Sequence, residues 1–181
     1  SLPSYLQSLD AWRTYLNGHL NADKTALRDS YSSGNTFVSD WSLIVAAGED
    51  FVDCIIDFLN EYQIPETGLW EYNTPDNDYD PTDGIGFNGT NGLMKISVLY
   101  GSLNRSLPNA YNALQSAIKV GLYTNTPEKN ETVCYVLNIW TCIGATLSNV
   151  KANDPQNYPA ARALVMQNAP ALIESSYEIL K

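Results

Sequence analysis

The sequence predicts an all-α protein, and three observations carry that prediction. Apolar residues recur at helical spacing along most of the chain, as in Leu6, Leu9, Trp12, Leu16 and Leu20. No run of alternating β-branched residues is present. Clusters of Gly, Pro, Asn and Asp fall between the periodic stretches, where turns need them. About six main helices, paired as three antiparallel hairpins in one domain over residues 1–181, account for the pattern.

Taken in order, Pro3 suits a first helical turn, so the first helix is expected over residues 3–20. Residues 21–35 are polar and end in Ser-Ser-Gly-Asn, which reads as a linker with at most a short turn of helix. Ser39 and Asp40 then look like caps for a long, largely buried helix that runs from Trp41 to about Gln63 and breaks or kinks at Gly48. Beyond a long connection, Asn88-Gly-Thr-Asn-Gly92 precedes a helix through Leu93, Ile96, Leu99 and Tyr100, in which Gly101 suits close helix packing. Pro108 starts the next helix, through Tyr111, Leu114 and Ile118, and Gly121 is expected to end it. Asn130 leads into a fifth, through Val133, Leu137, Trp140, Ile143 and Val150. Asp154-Pro155 opens the last, where Pro170 should introduce a kink. Gly68-Leu-Trp70 and Gly121-Leu-Tyr123 form a faint internal echo, as stacked helix pairs produce.

Charge excludes some partners. The chain carries 20 acidic against 10 basic side chains, a net of −10, which repels phosphate backbones and argues against nucleic acid. No basic amphipathic helix offers itself to anionic lipid, and no apolar run is long enough to span a bilayer. Cys54, Cys134 and Cys142 form no metal-type pair and read as small buried hydrophobes; the last two lie about 12 Å apart along one helix, too far to bridge. The amino end opens directly into a helical pattern with no leader-like stretch, so it does not fix the compartment; an extracellular or cell-surface setting is favoured.

Residues 65–95 stand apart as acidic, aromatic and rich in Gly and Pro. Connections beyond about 12–15 residues in a compact domain are usually functional or disordered, and the aromatic content argues for function. Asp76, Asp78 and Asp80 alternate like the first, third and fifth ligands of an EF-hand calcium loop, and Asp83 follows. Pro81 then stands where that loop needs Gly, and Phe87 where it needs a bidentate Glu, so the expectation is at most an irregular calcium cage. Trp70, Glu71, Tyr72, Tyr79 and Asn88 are the candidate ligand-binding residues: flat rings beside carboxylates suit a sugar, although Trp70 and Phe87, each taken alone, read first as anchors that pin the loop onto the helices. Paired carboxylates from Glu66, Glu71 and the aspartates would serve glycoside hydrolysis. His19, the sole histidine, reads as a surface or helix-end residue. Asn88, Asn104 and Asn130 sit in glycosylation-type triplets, of which the first and third read as helix caps.

The Gly68-Leu-Trp70 loop, followed by Asn91-Gly-Leu-Met-Lys95 opening a buried helix, resembles the hairpin units of α/α-toroid proteins. These include heparinase-type polysaccharide lyases, six-hairpin glycosidases and terpenoid-cyclase-like barrels. The likeness spans residues 40–181 as pattern, and as motif only the residues just named. It implies alternating inner and outer helices with loops at one end forming a substrate cleft. The lyases' catalytic Tyr, His, Asn or Arg motifs have no counterpart here to carry over, so catalytic residues stay unknown. Three hairpins do not close such a ring, which implies an open array or a fragment of a larger protein. The expectation is a carbohydrate-handling domain of a lyase or glycoside hydrolase, with residues 65–91 at the cleft and an oligosaccharide or polysaccharide as partner. The alternative is a non-catalytic helical repeat that binds a protein or glycan.

Overall fold

A computed structural model describes residues 2–72, 87–123 and 133–180. Among these residues the chain forms eight α-helices and no strand, with two isolated bridges, Leu20 to Leu27 and Ile64 to Leu69. The all-α expectation holds; the helix count exceeds the expected six because one helix went unread and another is split. None of the described helices is long and apolar enough to cross a membrane.

The first expected helix is interrupted. A 3₁₀ turn at Ser4–Leu6 precedes α1, Leu9–Asn17, because Ser8 is extended and its hydroxyl caps α1 by accepting from Ala11 N at 3.1 Å. Trp12 and Leu16 are its buried face. Tyr5 stacks on Tyr15 at 4.2 Å and on Trp12 at 6.0 Å. His19 takes the helix-end place of its two expected ones, just past the Gly18 cap of α1, and is not fully exposed. It is half-buried between Tyr15 and Phe37, and its Nδ1 lies 2.9 Å from Ser33 Oγ. Burial lowers its pKa, with the Arg28 charge adding to the effect.

The expected linker over residues 21–35 gives way to α2, Ser30–Ser39, which starts inside it. Asp29 caps α2 by accepting from Ser32 N at 2.9 Å, and the face Ser30, Ser33, Gly34 and Phe37 is buried. Hydrophobic periodicity misses such a helix because small size, not apolarity, fits it to its neighbour. That neighbour is α5, Phe87–Ser102. A Cβ at Gly34 would lie 2.8 Å from Lys95 Cβ, and one at Gly92 would lie 2.5 Å from Ser30 Cβ and overlap its Oγ. The segment Asn88-Gly-Thr-Asn-Gly92 is therefore the first turns of α5 rather than its cap.

The long second helix breaks at Gly48, as expected, into α3, Trp41–Ala47, and α4, Glu49–Tyr62. Gly48 has φ 126°, open to glycine and strained for other residues. Asp40 offers α3 no side-chain cap; its carboxylate accepts instead from Tyr5 Oη at 2.6 Å. Burial is heavier on α4 (Val52, Ile55, Phe58, Leu59) than on α3, where Trp41 and Val45 are exposed. The remaining helices are α6, Ala110–Tyr123, α7, Val133–Asn153, and α8, Tyr158–Leu180. Helix α5 packs on α2 and α7, and α6 packs on α7 and α8. Gly121 does not end α6. It lies inside that helix, where a Cβ would meet Leu172 at 2.7 Å and Ile139 at 2.9 Å. Gly101, by contrast, is exposed and has open space around it, so it serves no helix contact. Pro170 lies inside α8. Of the cysteines only Cys142 is buried; Cys54 is half-buried and Cys134 exposed, against the expectation of three buried thiols.

Candidate functional site

The turn after α4 is rigidly built. Gln63 Nε2 donates to Gly68 O at 3.0 Å and Pro108 O at 2.9 Å, while its Oε1 accepts from Asn109 Nδ2 at 2.8 Å. Gly68, at φ 69°, rests against the α6 backbone, so a Cβ there would come within 2.5 Å of Ala113 N. Residues 69 and 70 then enter the core. Trp70 is 0 % exposed, and its indole N–H donates to Leu59 O at 2.7 Å. Neither face of the ring is open to a ligand, so Trp70 is the loop anchor and not a stacking platform.

Glu71 follows into the same interior at 4 % exposure. Its Oε2 accepts from Ser30 N, at the start of α2, at 3.2 Å. Its Oε1 accepts from Asn88 Nδ2 at 2.6 Å, and the same amide nitrogen donates to Asp29 at 3.1 Å. Ser30 Oγ closes the cluster by donating to Asn88 O at 3.2 Å. Burial raises the pKa of Glu71; the bonds from Ser30 and Asn88 pull it down, and the Asp29 charge pushes it up. Asn88 is thus no helix cap. It ties Glu71 to α2, and with Glu71 it holds together the two ends of the connection over residues 72–87. A carboxylate held by two donors at a helix start braces the fold, and its oxygens do not face an open concavity.

Tyr72 is 50 % exposed. Tyr79 and the candidate calcium ligands Asp76, Asp78, Asp80 and Asp83 lie outside the described residues, as does Asn130. No cluster of three or more His, Cys, Asp or Glu able to hold a metal occurs among the described residues.

A cleft of about 460 Å³ lies beside the same turn, between the start of α6 and the α7–α8 junction. Asn109, Asn112, Asn149, Asn153 and Asn157 line it, with Asp154 the one charged side chain in the lining among the described residues. Asn149 and Asn153 build the wall. Asn149 Oδ1 accepts from Leu107 N at 3.1 Å, and Asn153 Oδ1 accepts from Ser106 Oγ at 3.1 Å. The other three are each fixed by one N–H: Asn109 to Gln63, Asn112 to Pro65 O at 2.7 Å, and Asn157 to Asp154 at 2.7 Å. Since a carboxamide has two N–H donors and an accepting oxygen, each of these three keeps a donor and its Oδ1 beyond that bond. Tyr111, half-buried, adds a ring to the lining. Sequence reasoning missed this set, although one signal was available: Asn149, Asn153 and Asn157 recur every fourth residue across a helix end.

Comparison with family models, with curated proteins and with solved structures returns no match.

Proposed function

We propose that this domain binds a neutral carbohydrate without transforming it, in the asparagine-lined cleft at the start of α6. One observation carries the proposal: Asn109, Asn112 and Asn157 are held in place by a single N–H each, leaving paired donor and acceptor capacity around one concavity. A sugar hydroxyl also donates and accepts, so carboxamides match it without a charge. The cleft volume falls in the ordinary range for small-ligand sites. Acidic polysaccharide fits poorly, because no Lys or Arg stands in the lining among the described residues and Asp154 would repel it. The hydrolase version of the carbohydrate reading needs two carboxyl groups about 5–9.5 Å apart across the bond to be cut. Glu71 is spent on the fold and Asp154 stands alone in the cleft, which favours the binding version. The likeness to α/α-toroid hairpins fits this reading as an open array whose loops frame a sugar site. A calcium ion on Asp76, Asp78, Asp80 and Asp83 is a separate proposal, tested by whether added calcium raises the melting temperature and an Asp78→Asn, Asp80→Asn variant loses that rise.

Isothermal calorimetry with an unbranched neutral hexasaccharide is the experiment. A Kd on the order of 1 mM is expected. A size-matched uronate oligomer should give no heat, and Asn112→Ala and Asn157→Ala should weaken binding with little change in melting temperature. Equal binding of both oligomers, or none by the neutral one, overturns the proposal.

A further inference from the structure

The side of the molecule where α1 crosses α4 holds a second concavity, a groove of about 340 Å³. We propose that it binds a zwitterionic ligand the size of a free amino acid or dipeptide. Its two walls carry opposite charge: Arg13 on α1 faces Asp57 and Glu61 on α4. Leu16, Phe58 and Tyr62 supply apolar lining between them, and the Phe58 and Tyr62 rings lie 5.0 Å apart. The walls are fixed. Trp12, fully buried beside Arg13, donates its indole N–H to Phe51 O at 3.1 Å and so locks α1 onto α4.

The charges in the groove have unused capacity. Among the described residues Arg13 has one ion pair, to Asp10 at 3.6 Å, and Asp10 is almost wholly exposed, a pairing that contributes little. Its guanidinium also lies against Cys54 and holds that thiol's pKa down against the effect of burial, so protection of Cys54 is compared within each variant. Asp57 and Glu61 form no ion pair among the described residues. Helix α4 itself displays what such a pair accepts. Glu49, Asp53, Asp57 and Glu61 stand every fourth residue along it, and Arg105 bridges the upper two. The lower two are the unbridged equivalent, and like charges one turn apart repel until a cation sits between them. A ligand ammonium there, with its carboxylate on Arg13 in a two-pronged bond and its side chain on the apolar lining, satisfies all three surfaces at once.

Cys54 lies in the groove and Cys134 lies outside it, so the two thiols report occupancy against an internal control. The probe is the dipeptide Gly-Phe, with N-acetyl-Gly-Phe and Gly-Phe-amide as single-charge controls. At about 10 mM, Gly-Phe should slow alkylation of Cys54 severalfold and leave Cys134 unchanged, while either control should need about tenfold more for the same protection. Arg13→Gln should erase the difference between Gly-Phe and its amide but keep the penalty for N-acetylation; Glu61→Gln should do the reverse. Both positions are exposed, and an unchanged melting curve confirms that each variant folds. Equal protection by all three peptides, or no protection of Cys54, overturns the proposal.

Discussion

Replacing Glu71 separates a brace from a catalyst. In Glu71→Ala, Ser30 N loses its acceptor inside the fold and Asn88 Nδ2 loses one of its two, keeping Asp29, so one N–H of each is left unpaired. Each buried donor left unpaired costs about 1–3 kcal/mol, for a gross loss of about 2–6 kcal/mol. Removing a carboxylate that burial disfavours offsets part of this, so the net cost is about 2–4 kcal/mol. For a chain of 181 residues that lowers the melting temperature by about 5–15 °C. Glu71→Gln keeps one accepting oxygen but turns an NH₂ toward a donor, so it costs about 1–2 kcal/mol. The pH dependence carries a sign. Burial raises the Glu71 pKa, so between the ordinary carboxylate value and the raised one the folded state holds the extra proton. Stability therefore falls as pH rises through that window, and Glu71→Gln removes the fall. Urea denaturation of both proteins from pH 4 to 8 is the assay. An unshifted melting temperature in Glu71→Ala, or a wild type that gains stability over Glu71→Gln across that window, would refute the reasoning.

Other consequences follow from the same packing. Gly92→Ala drives a methyl into Ser30 and should cost about 3 kcal/mol in chemical denaturation, with part of that recovered in Ser30→Gly/Gly92→Ala. Under native conditions a thiol reagent should modify Cys134 first and Cys54 more slowly, reaching Cys142 only on unfolding, because burial pushes the Cys142 thiol well up. The hydrogen bond to Asp40, followed by burial, raises Tyr5 to about 12; Asp40→Asn should return its ultraviolet titration toward the ordinary tyrosine value.

What the sequence made legible was set by which force built each element. Helices held by apolar stripes, such as α1 with Trp12 and Leu16 or α4 with Ile55 and Leu59, show in the spacing, and so does the break at Gly48. Helix α2 stayed hidden because Ser30, Ser33 and Gly34 look like turn residues and become helical through a close fit to α5. Gly121 misleads for a related reason: in the sequence it looks like a stop, and in the fold it is a contact point for α7 and α8. Local chemistry singled out Glu71 and Asn88 as ligand-binding candidates but could not tell a cleft from a brace or show that the two bond each other, since burial is a property of the assembled chain. The asparagine cleft joins residues about 40 positions apart, beyond the reach of any local pattern.

The most direct measurement is an NMR titration of the labelled protein with the neutral hexasaccharide, following the side-chain amide signals. Saturable shifts at Asn109, Asn112 and Asn157, with Asn88 unmoved, are the expected result. Shifts confined to Asn88, or a spectrum that does not change, would contradict the assignment of the sugar site to that cleft.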